Sequence, residues 1–560
     1  MNTTHFDAIV VGSGFGGSVM SYRLAEAGLR VCLLERGKAY PPGSFPRSPY
    51  KIRESFWNPK GGFYGLYDFW SFHRIQALVA SGLGGGSLIY ANVLLRKDER
   101  WFVDDAQPGL AWPVSRADLE PHYDRVERML RPQRYPFDHA PYSATPKTHA
   151  FREAAQKIGL EPFFPKLAVT FANEGDAPVP GEPIREAHAN LHGRTRQTCR
   201  LCGECDLGCN YGSKNTLDYT YLSEAKRHGA ELRTGCEVRS FEPRAGGYSV
   251  HYLEHPLEEP DKESPLRTLT ADRLILAAGT LGSTYLLLRN RSAFPHLSRA
   301  LGTRFCGNGD YLTFALKASR EVNGKRVPRV IDPGYGPVIT SAARGSDTLD
   351  GGDGRGFYLE DAGFPQHLTW VLQVLSGPRP LWRFIKERFV WDWFGKSADP
   401  NLNAEFSNML RDTELSAGVL PLLAMGRDVP DGTMTLRGGK LDINWNRRRS
   451  GPYLDRVRET SRRMAEALGA RFVHDPLRSL GRIFTDLNRL ITVHPLGGCP
   501  MGRSEDDGVV NSYGEVFNYP GLYVADGSVM PGPVGANPSL TIAALADRFA
   551  EHLLETREPS

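Results

Sequence analysis

The feature that most restricts this chain is its first forty residues. Phe6–Val11 is an almost unbroken apolar run, the pattern of a strand buried on both faces of a parallel sheet. It leads directly into Gly12-Ser13-Gly14-Phe15-Gly16-Gly17, and Ser18–Ala27 then reads as a helix stopped by Gly28. Arg30–Leu34 supplies a second strand that ends at Glu35. Gly12, Gly14 and Gly17 fit G-x-G-x-x-G, which combines a tight turn, backbone access to a pyrophosphate and close helix–strand contact. The helix start presents unpaired N–H groups and a positive dipole end to the phosphates. Glu35 lies about 20 residues further on, where an acid accepts ribose hydroxyls and disfavours a 2′-phosphate. The unit predicts a bound dinucleotide, NAD or FAD, and does not separate the two.

The rest of the chain narrows the class. Its 560 residues suggest two to four structural units, and 41% apolar with 24% charged residues excludes a disordered or fibrous chain. Lys and Arg number 68 against 64 Asp and Glu, and a net charge of +4 gives no reason to expect nucleic acid. No apolar run is long enough to cross a membrane, and the first core strand begins at Phe6 with no leader ahead of it. Four of the 8 cysteines crowd into Cys199–Cys209, so a disulfide scaffold is not expected and a reduced, cytoplasmic location is.

Four further segments choose between the dinucleotides. They are Gly82-Leu83-Gly84-Gly85-Gly86-Ser87, Ala277-Ala278-Gly279-Thr280-Leu281-Gly282-Ser283, His494-Pro495-Leu496-Gly497-Gly498-Cys499, and Leu522–Ser528 followed by Gly535-Ala536-Asn537-Pro538-Ser539. With the N-terminal fingerprint, the chain resembles the glucose–methanol–choline (GMC) flavoprotein oxidoreductases, and among them the bacterial cholesterol oxidases. The resemblance implies FAD and the oxidation of an alcohol. The fold it implies is α/β, with a Rossmann-like FAD-binding domain on a mainly parallel sheet and an α+β substrate domain on an antiparallel sheet. The cofactor domain is expected to comprise residues 1–110, 199–310 and 485–560, interrupted by substrate-domain segments at 111–198 and 311–484. Thr433–Leu436 and Leu441–Ile443 read as strands of that antiparallel sheet, and Tyr453–Leu468 as an Arg-rich helix.

Each segment also has a physical reading. A run such as Gly82–Gly86 suits a backbone pressed against a flavin or its phosphates, so Gly84, Gly85 and Ser87 join the candidate cofactor residues. Leu274–Ala278 is a buried strand running into Gly279, which makes Ala278 and Gly279 candidates as well. Asp526 and Gly527 stand at the carboxyl end of the Leu522–Ala525 strand, where open α/β sheets place ligand-contacting residues. In the family the matching Asp binds the cofactor. The helix starting at Ser539 would direct its positive end at a reduced flavin.

Alcohol oxidation requires a group that accepts the hydroxyl proton while the flavin takes the hydride. Histidine titrates near working pH, and His494 precedes a stiff Pro-Leu-Gly-Gly turn. The resemblance places His494 and Asn537 at the substrate hydroxyl, although Asn537 also suits an N-cap for the last helix. It also implies a carboxylate from the substrate domain. Glu360 is the candidate, and a merely solvated side chain is the alternative. Such an acid would shift a steroid double bond; without it only oxidation remains. The substrate class is then a small apolar alcohol, a sterol above all, with O2 or an electron carrier as acceptor; a dehydrogenase of a long-chain alcohol or sugar feeding a carrier, and a redox-neutral FAD protein (a lyase or binding module), are the alternatives.

Two segments stand apart. Cys199, Cys202, Cys205 and Cys209 have the spacing of a ferredoxin run, with Asn210 where Pro usually follows and no second run. An iron–sulfur cluster, in a single site that Cys236 or Cys306 could complete, a tetrahedral zinc, and a plain thiol-rich turn leading into Gly212–Thr216 are the alternatives. Leu381–Phe394 mixes Trp382, Phe384, Phe389, Trp391, Trp393 and Phe394 with basic residues. That suits a lid for an apolar substrate or peripheral membrane contact, or else a core helix.

Overall fold

The computed structural model describes residues 4–47, 53–72, 75–103, 111–259, 262–347, 355–365, 418–446, 448–474 and 490–556. The apolar N-terminal run forms β1 (His5–Val11), with Ala8, Ile9 and Val10 wholly buried. α1 (Phe15–Glu26) crosses over to β2 (Val31–Leu34), which pairs in parallel with β1, and β3 (Glu231–Arg233) adds a further parallel strand outside β2. On the other side of β1 lies the long β4 (Leu266–Leu276). Its first half pairs antiparallel with the Gly247–Glu254 strand of a hairpin, and its last residues pair in parallel with β5 (Leu522–Val524). β4 continues into α2 (Gly279–Arg289), and the closing helix α3 (Ser539–Glu555) packs against α1.

α1 begins at Phe15, inside the glycine turn, because glycine lets its first turn lie against the strand ends. A Cβ on Gly16 would sit 1.5 Å from the Ala525 carbonyl oxygen, and one on Gly17 2.0 Å from that of Gly12. Gly12 itself has φ +98°, and a Cβ there would lie 2.4 Å from the Ala277 oxygen. The ends of β1, β4 and β5 are thereby drawn to one point, the carboxyl edge of the parallel sheet.

The second layer is a six-stranded, wholly antiparallel sheet in the order Arg471–Val473, Tyr311–Leu316, Leu420–Gly426, Phe357–Asp361, Ala342–Gly345, Pro162–Phe163. Helices Pro146–Lys157 and Gly451–Ala467 back it, burying Phe151, Ala154, Tyr453, Val457 and Met464 against Leu359 and Leu422. The architecture is thus the expected pairing of a Rossmann-like layer with an antiparallel one. One expectation changes. Thr433–Arg437 and Lys440–Asn444 form a separate two-stranded hairpin, held by packing of Met434, Leu441 and Ile443 with Leu281 of α2.

The close approach at Gly12 yields a prediction. Gly12→Ala adds a methyl group where φ is positive and a carbonyl oxygen already occupies the space, at a cost of about 2–4 kcal/mol. Thermal melting should show a lowered transition and absorbance a reduced flavin content; an unchanged melting curve would mean that the strand ends can separate freely.

Candidate active site

At the nucleotide end, both oxygens of the predicted acid Glu35 are engaged. Oε2 accepts from Ser13 N at 3.0 Å and Ser13 Oγ at 2.6 Å, and Oε1 accepts from Gly37 N at 2.8 Å. Ser13 Oγ in turn accepts from Gly84 N at 3.0 Å, so the fingerprint and the second glycine run share one hydroxyl. The two turns touch: Gly85 has φ +52°, and a Cβ there would lie 2.7 Å from Gly14 Cα. Ser87, a candidate contact, spends its hydroxyl locally, donating to Gly84 O at 2.7 Å and accepting from Leu217 N at 3.1 Å. Gly14 and Gly86 instead face open space, where a Cβ would meet nothing within 4 Å. Just beyond, Asn92 is wholly buried at φ +71°, and neither its amide nitrogen nor its oxygen has a hydrogen-bond partner among the described residues. A cradle bare of side chains beside an unpaired buried amide suits a flavin dinucleotide.

The ends of β4 and β5 are tied by Asp526. Its Oδ2 accepts from Gly279 N at 2.9 Å and from Ser283 Oγ, and its Oδ1 from Ser528 N at 2.8 Å and Ser528 Oγ at 2.6 Å. Burial pushes this carboxyl up while those donors pull it down. Ala278 N donates to Ser283 Oγ at 3.0 Å. The Asp526 side chain therefore braces the turn that carries Ala278, Gly279 and Gly527. Donors among the described residues already engage its carboxylate, so its side chain offers a cofactor less than the sequence pattern suggests.

At the opposite end, a single turn organises two loops. Asp310 is a carboxylate that sequence reasoning missed. Its Oδ2 accepts from Thr492 Oγ1 at 2.8 Å, Val493 N at 2.9 Å and His494 N at 3.1 Å, and its Oδ1 meets His494 Nδ1 at 2.8 Å. Nδ1 is thereby the protonated nitrogen, and Nε2 is the ring's free nitrogen among the described residues. Asn308, in the same turn, accepts from Gly535 N at 2.8 Å and donates to Ala536 O at 2.9 Å, fixing the loop that carries Asn537. Asp428 braces the turn in turn, accepting from Gly307 N at 2.9 Å. Burial pushes the Asp428 carboxyl up to about 7. The signal for this turn was available as Cys306-Gly307-Asn308-Gly309-Asp310, a cluster of turn formers ending in an acid.

Asn537 is no helix cap. Pro538 occupies the cap position of α3 and makes no side-chain cap bond, while Asn537 Nδ2 points to Glu360 Oε2 at 3.4 Å. Glu360 is wholly buried, not solvated. Burial pushes its carboxyl up to about 8; the Asn537 amide opposes this, and the charges of Asp361 and Asp310 add to it. Glu360 Oε1 and Asn537 Oδ1 have no partner among the described residues, which leaves two adjacent buried polar atoms available to a substrate.

Cys199, Cys202, Cys205 and Cys209 are unpaired and surround one cavity. Burial pushes the Cys202 thiol up to about 12. Among the described residues, no group of three or more His, Cys, Asp or Glu is arranged to hold a metal ion, so neither the iron–sulfur nor the zinc reading of this run is supported. Cys236 starts a strand of the parallel-sheet layer and Cys306 lies beside Asp428, and neither lines the cavity. The aromatic stretch Leu381–Phe394 lies outside the described residues.

Comparison with known proteins agrees with this geometry. Residues 184–306 and 428–546 match the N- and C-terminal profiles of GMC oxidoreductases, and residues 10–41 match an NAD(P)-binding Rossmann-like domain. A cholesterol oxidase of Mycobacterium tuberculosis is 31% identical over 97% of this chain and 90% of its own length. One from Acinetobacter baumannii is 27% identical over 99% and 96%. Among solved structures, a pyridoxine 4-oxidase from Mesorbium loti superposes with a TM-score of 0.56 at 18% identity, covering 99% of this chain and 100% of that one, a likeness of fold.

The buried carboxyl at Glu360 yields a prediction. A folded-state pKa raised from 4.5 to about 8 means that the folded chain keeps a proton the unfolded chain has released, so stability falls as pH rises across that window. Glu360→Gln carries no such proton. Its melting temperature should fall less than the parent's between pH 5 and 8 and converge with it at acid pH; parallel curves would refute the buried, proton-holding acid.

Proposed function

The chain belongs to the GMC oxidoreductase family and is an FAD-dependent alcohol oxidoreductase, and we propose that it oxidises a sterol-class hydroxyl with oxygen as acceptor. The observation that carries this reading is the oriented imidazole, with Asp310 on Nδ1, Nε2 free among the described residues, and Asn308 of the same turn fixing the loop of Asn537. Bound FAD, held by the Gly12–Gly17 and Gly82–Ser87 turns, supplies the hydride acceptor. His494 Nε2 receives the hydroxyl proton, and the Asp310 carboxylate stabilises the imidazolium that results. Asn537 holds the same hydroxyl oxygen through its second amide hydrogen. Glu360 is the group placed to move a proton between carbons: its carboxylate form would take one from the carbon beside the new carbonyl and return it at the far end of the double bond, which shifts that bond with no net proton change.

Two observations favour an apolar alcohol. The relatives named above are cholesterol oxidases. Apolar side chains also stand exposed on the segment before His494, Val493 at 46% and Ile491 at 41%, and on another strand of the same small sheet, Phe69 at 58%. Ile491 and Phe69 lie on the two outer strands of one small sheet, Leu490–Thr492 and Tyr67–Ser71 either side of Ile75–Ala80. Such a rim suits a sterol more than a sugar. Electron delivery to a carrier is the second reading, favoured by the cysteine-lined cavity.

Anaerobic titration against sterols, long-chain alcohols and sugars should bleach the flavin with sterols first. Peroxide release under air supports oxygen as acceptor; turnover only with an artificial dye supports a carrier. His494→Ala should retain flavin and slow its reduction by about 10²–10⁴-fold. Asp310→Asn should lower kcat at least about tenfold with KM little changed, because the tautomer is no longer fixed. A His494→Ala variant that reduces flavin at the parental rate would remove the assignment.

A further inference from the structure

The alcohol chemistry leaves the four cysteines of Cys199–Cys209 without a task, and three of them differ from all others in access. Cys202, Cys205 and Cys209 are half-buried, whereas Cys32, Cys199, Cys236, Cys306 and Cys499 are buried. A thiol reacts as its thiolate, so reactivity follows access together with positive charge and N–H donors at the sulfur. Cys209 has all three. Ser213 N donates to its Sγ at 3.3 Å, and the cavity it lines with Cys205 is also lined by Lys214 and Arg200. Lys214 Nζ donates to Leu88 O at 3.1 Å, Tyr90 O at 2.8 Å and Cys205 O at 2.9 Å, which employs all three hydrogens of an ammonium. Burial draws its pKa down, and the nearby Cys205, Asp206 and Cys209 pull it back up. Glu204, the acid of the lining, is paired with Arg47 at 2.9 Å, which offsets its charge. Burial pushes Cys202 up to about 12 and raises Cys205 as well, against the pull of Lys214, so these two hold their protons.

A second observation points to a ligand. Ser213 is 3% exposed and lines the same cavity, and its Oγ has no hydrogen-bond partner among the described residues. A buried hydroxyl without a partner is costly, and this one stands on the residue whose N–H meets the Cys209 sulfur. A small polar molecule in the cavity would satisfy the hydroxyl and lie against that sulfur.

We infer that Cys209 is a thiol that reduces hydrogen peroxide, that Ser213 Oγ holds the peroxide beside it, and that Cys205 resolves the product as a disulfide. The Cys209 thiolate attacks one peroxide oxygen, the O–O bond breaks, and the leaving hydroxide takes up the proton that Cys209 released, giving water. The sulfenic acid so formed condenses with the Cys205 thiol: the S–S bond forms, the S–O bond breaks and a second water departs. Two thiols are oxidised by two electrons, and one peroxide is reduced to two waters. Alcohol oxidation with oxygen as acceptor supplies the peroxide, so its source rests on that form of the proposed function, while the reactivity of the pair does not. Lys214 joins the site to Leu88 and Tyr90, on the segment following the glycine run that cradles the flavin.

Reduced holoenzyme given a small excess of hydrogen peroxide without substrate should lose two of its 8 thiols, and peptide mass mapping should find Cys205 linked to Cys209. Dithiothreitol should restore both. Cys205→Ser should stop at a sulfenic acid on Cys209, trapped by dimedone, and Cys209→Ser should keep all its remaining thiols at the same dose. Ser213→Ala should slow thiol loss about tenfold or more with its flavin retained. Survival of all 8 thiols would overturn the inference, as would a cross-link that omits Cys209 or Cys205, or a Ser213→Ala variant that reacts at the parental rate. The peroxide is added from outside, so a failed sterol assay leaves these readouts standing.

Discussion

The reactive end of this molecule depends on one carboxylate. Asp310 gathers donors from Thr492, Val493 and His494, and two residues earlier Asn308 grips the loop before Asn537. Histidine and asparagine come from loops more than forty residues apart in the chain, yet both are referred to a single turn. Thr280 Oγ1 donates to Pro495 O and Gly497 N to Gly527 O, so the His494 loop has further anchors, and the turn from Asn308 to Asp310 ties it to the loop of Asn537. Catalytic geometry tolerates errors of well under an ångström, and hydrogen bonds from a buried turn are the means by which this chain meets that tolerance.

A comparable economy holds at the nucleotide end. Two acids, Glu35 and Asp526, lie just past the ends of the parallel strands Val31–Leu34 and Leu522–Val524. Both are surrounded by N–H and O–H donors from the turns they brace. Their charges are thus delocalised into the backbone and do not repel a polyanion, while the bare faces of Gly14 and Gly86 leave the approach open. The Ser13 hydroxyl, shared between Glu35 and Gly84, makes the two glycine turns one unit.

The readable parts of the sequence were those set by local spacing. Strand, glycine turn, helix and acid occur within the first forty residues, and the period of the apolar residues is enough to place them. His494 and Asn537 were marked by the glycine and proline that stiffen their loops. Asp310 and Asn308 were not found, because their importance lies in partners about two hundred residues away, and no periodicity records a pairing of that range. Glu360 was found without its environment: burial, the property that defines it, is created by the strands on either side, Ala342–Gly345 and Leu420–Gly426, and by the Asn537 loop. The Thr433–Asn444 hairpin was misplaced for a related reason, since alternation announces a strand without saying which sheet receives it.

Strand geometry also explains why two adjacent acids on one strand take different parts. Side chains alternate across a sheet, so Glu360 and Asp361 face opposite ways. Asp361 turns to the helix Pro146–Lys157, where Lys147 Nζ lies 3.2 Å away and the Thr340 and Ser341 amides donate at 2.8 and 2.7 Å. Its charge is matched on that face and anchors the strand. Glu360 turns the other way, towards Asn537, with no cation beside it and one oxygen unpaired among the described residues. Burial there favours the neutral acid, and the anchored negative charge next door favours it further. The pleat of one strand thus separates two like groups: Asp361 takes the face of Lys147, and Glu360 takes the face of Asn537, where burial favours its neutral form.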